Sequence, residues 1–103
     1  MSSNNRPLFD YILGRVPLEK AVREHETLGA LVRDIAANES ALVGIGSLGK
    51  KHGLTSYMYL IIERLKEDGI VRVIMVQDES ERYIRKVPLL TERGRKVLEG
   101  VVI

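Results

Sequence analysis

The residues of this 103-residue chain best suited to chemistry are cations and hydroxyls set around short apolar segments. Lys50 and Lys51 stand just ahead of Gly53-Leu54, and Thr55, Ser56, Tyr57, Tyr59 and Arg64 follow that turn. Arg82, Arg85 and Lys86 lie close together further along. Lysine and arginine bind phosphate oxygens, tyrosine hydroxyls donate to them, and Arg, Ser and Thr also reach base edges. A lysine pair is ordinarily a solvated surface; beside the positively polarised start of a helix it fits a phosphate. Leu60 and Glu63, on the same outward side, suit neither purpose, because a carboxylate repels phosphate. The run Gln77-Asp78-Glu79-Ser80-Glu81 is acidic too, which leaves backbone contacts to Arg82, Arg85 and Lys86.

A second chemistry is written in Gly44-Ile45-Gly46-Ser47-Leu48-Gly49, a literal G-x-G-x-x-G. With an apolar strand before it and Asp78 beyond a second strand, Gly44, Gly46 and Gly49 match a dinucleotide-binding βαβ unit. Against that reading, Gly53 interrupts the helix that should follow, and only a hairpin, with no further parallel strand, comes after. Catalysis has less support. His25 falls on an apolar seam, and His52 has neither cysteine nor carboxylate at a ligand-like spacing. No G-x-S-x-G, H-E-x-x-H or P-loop pattern occurs. The chain reads as a binding protein, with no enzyme activity, cofactor or metal expected.

The elements carrying these residues follow from apolar spacing and turn chemistry. Pro7 fits the first turn of a helix whose apolar residues run to Val16, and Pro17 ends it and opens the next. Leu18, Ala21, Val22, His25, Leu28, Val32, Ile35 and Ala36 then form one stripe to about residue 38, with Gly29 as its weakest point. Their alternating spacing is close to that of a packed helix pair, so this seam serves either the chain's own core or a dimer. Residues 41–45 are expected to be a short strand, residues 47–52 a short helix, and Thr55 or Ser56 the cap of the next. That helix buries Met58, Ile61, Ile62 and Leu65 on one face. Gly69 fits the left-handed residue just past its end. Strands are expected over 70–76 and 82–89, and a closing helix capped by Thr91.

Length and composition set outer limits. The chain has single-domain length, and its 45% apolar content argues against wholesale disorder. No apolar run reaches the roughly 18 residues of a membrane span, and the polar start lacks the apolar core of a secretory signal. Zero cysteines exclude disulfides and thiolate metal sites and suit a cytoplasmic location. One glutamine, no cysteine and more arginine than lysine lean toward a heat-adapted source. Residues 1–40 hold five Lys/Arg against six Asp/Glu, residues 41–69 four against three, and residues 70–103 seven against five. The basic excess thus lies in the second half, where the phosphate-binding candidates are.

The helix exit Leu65-Lys66-Glu67-Asp68-Gly69-Ile70-Val71 and the later Leu90-Thr91-Glu92-Arg93-Gly94-Arg95 bracket a β-ribbon. Helix, ribbon and helix in this order resemble the winged helix-turn-helix of MarR- and PadR-type transcription regulators. With a weaker match over residues 27–52, the resemblance covers about two-thirds of the chain. It implies one α+β domain over residues 1–103: extra N-terminal helices (7–38), helix-turn-helix and wing (41–90), and a short C-terminal helix (91–100). It also implies a homodimer on double-stranded DNA, the helix from Thr55 in the major groove and the wing on the backbone. DNA contacts would then come from Lys50, Lys51, Thr55, Ser56, Tyr57, Tyr59, Arg64, Arg82, Arg85 and Lys86. Winged helices also serve as protein-docking modules, which is the alternative reading.

Overall fold

Each helix begins where a residue interrupts or starts the hydrogen-bond ladder, and those residues set the architecture. A computed structural model describes residues 5–77 and 82–102, with side chains to residue 100. It is an α+β arrangement of six helices and a two-stranded antiparallel sheet among those residues. α1 (Arg6–Ile12) starts on Pro7 and buries Leu8 and Tyr11. It ends short of the expected Val16, because Gly14 takes a left-handed conformation at φ 76°.

The single helix expected from residue 18 to 38 is two: α2 (Leu18–Glu24) and α3 (Glu26–Ala37). The break falls at His25, while Gly29 stays helical inside α3. His25 is extended (φ −123°, ψ 99°), and its Nδ1 accepts the Leu28 N–H at 3.0 Å as the N-cap of α3. That fixes the tautomer, so Nε2 carries the proton and donates to Asn5 Oδ1 at 2.9 Å. The apolar seam is spent inside the chain: Leu18, Ala21, Val22, Leu28, Leu31, Val32 and Ile35 are all core residues.

The strand expected over residues 41–45 is absent. Glu39–Ala41 is a 3₁₀ turn, Leu42 is left-handed at φ 51°, and Gly44 caps α4 (Ile45–His52). The neighbouring ribbon explains this. A proline in a strand is tolerated where its nitrogen faces away from the partner strand, and Pro88 thereby removes a donor from the edge a third strand would need. A second 3₁₀ turn, Thr55–Tyr57, leads into α5 (Met58–Glu67), with Tyr57 at the cap position. Neither Thr55 nor Ser56 caps α5 through its side chain, contrary to expectation. β1 (Val71–Val76) pairs with β2 (Arg85–Leu90) from Val71↔Leu90 to Val76↔Arg85. α6 (Glu92–Val102) closes the chain.

Thr91 caps α6 as expected, its Oγ1 accepting the Gly94 N–H at 2.9 Å, and the Thr91 N–H donates to the Ile70 carbonyl at 3.0 Å. Gly69 is left-handed at φ 71°. A Cβ on Gly94 would overlap the Ile70 carbonyl oxygen, whereas one on Gly100 would meet nothing within 4 Å. Gly94→Ala is therefore expected to cost about 1–3 kcal/mol through overpacking. Gly100→Ala is expected to gain up to about 1 kcal/mol of helix propensity. Thermal melts of the two variants check this pair, and equal shifts would contradict it.

Burial holds the His25 pKa below its ordinary 6.5. The folded state then takes up this proton at lower pH than the unfolded chain does. The stability so conferred is complete above the unfolded value and drains as pH falls below it. His25→Asn keeps a cap acceptor that does not titrate, so its melting temperature should fall less between pH 7 and pH 5 than that of the native chain, by calorimetry.

Candidate nucleic-acid interface

Three elements meet along one groove of about 310 Å³: the start of α4 (residues 44–47), Tyr59 of α5, and Ile84, Arg85 and Lys86 of the ribbon. A smaller cleft of about 180 Å³ shares Ile45, Tyr59 and Lys86 and adds Ile62, Glu63, Lys66, Val73 and Met75. Gly44, the residue that caps α4, has no side chain to accept the first N–H groups of the helix. Those donors are the groups that favour an anion at a helix start. Gly46 adds nothing to the packing, since a Cβ there would meet no atom within 4 Å. The wall opposite is basic, carrying Arg85 and Lys86. α5 turns Met58, Ile61, Ile62 and Leu65 into the core, which leaves Tyr59, Leu60, Glu63, Lys66 and Glu67 outward.

The expected site residues divide into three groups. Tyr59, Arg85 and Lys86 line the groove. Lys50 is exposed on α4, Thr55 and Ser56 are exposed in the 3₁₀ turn, and Arg82 is exposed at the outer end of the ribbon. Lys51, Tyr57 and Arg64 make contacts away from the groove. Lys51 pairs with Asp34 of α3 at 2.9 Å, and His52 Nε2 reaches the same carboxylate oxygen at 2.8 Å. Tyr57 packs edge-on against Phe9 of α1, ring centroids 5.3 Å apart. Arg64, expected on the outward face, lies about two turns from Tyr57 and shares its flank toward α1. Its guanidinium donates to Asp68 at 2.9 Å and to Glu67 at 3.1 Å. Asp68 also accepts the Tyr11 hydroxyl at 2.8 Å, and burial and that bond push the Tyr11 pKa far above its ordinary range. Arg64 therefore belongs to the joint between α1 and α5.

The glycine-rich segment also differs from its dinucleotide reading. A 3₁₀ turn, not a strand, precedes Gly44, and the sheet is antiparallel, so the described residues form no βαβ crossover. Gly49 is explained by helix packing: a Cβ there would lie 2.5 Å from Met58 Cγ and 3.2 Å from Thr55 Cα. Gly46, Ser47 and Ile84 line the groove without having been expected there. The signal for Gly46 was a glycine in a helical first turn without a packing neighbour. The acidic residues Asp78, Glu79 and Glu81, expected at the ribbon tip, lie outside the described residues.

Among the described residues, no helix is long and apolar enough to cross a membrane, and no cluster of three or more His, Cys, Asp or Glu is arranged to hold a metal. Comparisons with protein-family models, with curated proteins and with solved structures find no match for the chain.

Asp34 joins α3 to α4, and its hydrogen bonds from Lys51 and then His52 hold its pKa below the ordinary 3.8. This contribution to stability is present above that value and lost as pH falls through the lower folded one. Asp34→Asn should cost about 1–3 kcal/mol at pH 7 and flatten the acid limb of the stability profile. Urea melts across pH test both, and an unchanged acid limb would contradict the assignment.

Proposed function

We propose that this chain binds duplex DNA as a winged helix and acts as a transcription regulator. In this reading α5 lies in the major groove, whose width of about 12 Å admits a helix. The uncapped start of α4 takes a flanking phosphate, and the ribbon sets Arg85 and Lys86 on the adjacent backbone. The observation that carries the reading is the convergence of an unfilled helix start, the α5 face and two ribbon cations on one groove. With Arg64 engaged by Asp68, base contacts fall to Thr55, Ser56 and Tyr59. The same reading has the chain pair as a homodimer through α1, where Phe9 and Leu13 stay exposed. Light scattering reads that directly, and a single-chain mass at working concentration would remove it.

One observation favours a second reading, a protein-docking module. Of the exposed large apolar residues, Tyr59 and Leu60 lie on α5, and Met75, Tyr83 and Ile84 lie on or beside the ribbon. A salt titration of binding to a mixed-sequence duplex separates the two readings. Each phosphate contact contributes about 0.9 to the slope of log affinity against log salt. Lys86→Ala and Lys50→Ala should each flatten the slope by about that amount, whereas Arg64→Ala should leave it unchanged. Absence of binding at low salt would leave the docking module standing.

A further inference from the structure

We infer that the cavity between the α1–α2 turn, the end of α5 and the start of α6 binds a free amino acid, independently of the DNA-binding reading. The cavity measures about 330 Å³, at the small end of the roughly 300–1,000 Å³ usual for ligand sites. Its charged lining residues are Arg15, Glu19, Arg64, Asp68 and Arg93. Two of the cations are matched: Arg15 lies 3.6 Å from Asp10, and Arg64 donates to Asp68 at 2.9 Å. Gly14, left-handed at φ 76°, brings the turn so close that a Cβ there would lie 3.0 Å from Arg64 Nη1. That guanidinium is therefore part of the wall. Glu19 and Arg93 are left over. Among the described residues the half-buried Glu19 carboxylate has neither a hydrogen bond nor an ion pair. Arg93 spends only its Nε, on the Asp68 carbonyl, and pairs with no carboxylate there.

Opposite charges that line one small cavity without pairing define a ligand that carries one of each. A ligand carboxylate takes the terminal nitrogens of Arg93, which suit a two-pronged contact. A ligand ammonium donates to Glu19 and supplies the hydrogen bonds that this half-buried carboxylate lacks. Both charges on one short carbon chain make a free amino acid, whereas a residue inside a polypeptide has neither. A purely anionic ligand would meet Glu19 and Asp68, and a purely cationic one would meet Arg64 and Arg93. The rest of the lining includes Val16, Pro17, Leu18 and Ile70, an apolar wall for an aliphatic side chain. Glu19 belongs to α2 and Arg93 to α6, so the bound molecule ties these helices together and stabilises the fold by mass action.

The test titrates the full chain with L-leucine and with γ-aminobutyrate, whose charges stand further apart, by calorimetry and thermal melts. One of the two is expected to bind and to raise the melting temperature as its concentration rises. Its amide and its N-acetyl derivative each keep a single charge and are expected to bind at least about tenfold more weakly. Glu19→Gln and Arg93→Gln are expected to lose about the same factor, and Lys86→Ala to bind as the native chain does. Circular dichroism confirms that the variants are folded. Because Arg93 also holds the Asp68 carbonyl, Glu19→Gln decides the matter if Arg93→Gln unfolds. No binding of either compound at millimolar concentration overturns the site. So does equal binding of the blocked derivatives, or an unchanged affinity in Glu19→Gln. A chain that binds the amino acid but no duplex keeps this site and loses the DNA-binding reading.

Discussion

Everything on the groove side of this fold hangs from the contact between Gly94 of α6 and the Ile70 carbonyl at the root of β1. That carbonyl accepts the Thr91 N–H, and Gly94, lacking a side chain, packs against it. Just before it, Gly69 turns left-handed to end α5, and Arg93 Nε donates to the Asp68 carbonyl at 2.9 Å. Within a few residues the exit of α5, both ends of the ribbon and the start of α6 are thus tied together. Among the described residues β1 and β2 pair only with each other, so no third strand there restrains the ribbon. Its angle to α5, and with it the width of the groove, is set at this root. A methyl group there would push α6 away and reaim the whole ribbon.

The same joint explains why part of the fold could be read in advance. Gly69, Thr91 and Gly94 are short-range signals, each demanded by the backbone at its own position, and they sit in the two segments on which the winged-helix resemblance rests. The buried stripe of α5 is equally local. What escaped the sequence depends on distant partners. Gly29 looked like the weak point of a long helix, yet His25 breaks it, because an imidazole held by Asn5 supplies the cap that a histidine seldom offers. Arg64 looked outward because helical spacing alone cannot tell which flank a neighbouring helix will cover. Tyr11 of α1 covers that flank through Asp68. The strand expected over residues 41–45 had the right composition, but Pro88, more than forty residues on, denies it a ladder.

Electrostatics moved the candidate site more than topology did. Charge counted along the chain treats Lys50, Lys51, Arg64 and Lys66 as equivalent. In the fold Lys51 is matched by Asp34, Arg64 by Asp68 and Glu67, and Lys66 by Glu63. An anion approaching any of these three must compete with a carboxylate already in place, and surface pairs also screen one another's field. The basic weight passes to Lys50 on α4 and to Lys86 on the ribbon side of the groove. It also passes to donors that carry no formal charge, the first N–H groups of α4, which a count of lysines and arginines does not register.

The glycines of residues 44–49 show how one motif can arise from unrelated constraints. In a dinucleotide-binding unit the three glycines serve a single ligand. Here Gly49 lets α4 and α5 cross closely at Met58, a requirement internal to this helix pair. Gly44 is the cap residue of α4 and lies beside the ribbon, where a Cβ would make only ordinary contact, 3.7 Å from the Lys86 carbonyl oxygen. Gly46 alone has no internal duty. It weakens the first turn of an eight-residue helix that can ill afford the loss. A bare backbone at that point leaves the surface beside Lys86 low enough for a phosphate group to approach the N–H donors. The spacing that resembles a cofactor site is therefore the combined trace of one close helix crossing at Gly49, one cap at Gly44 and one open position at Gly46.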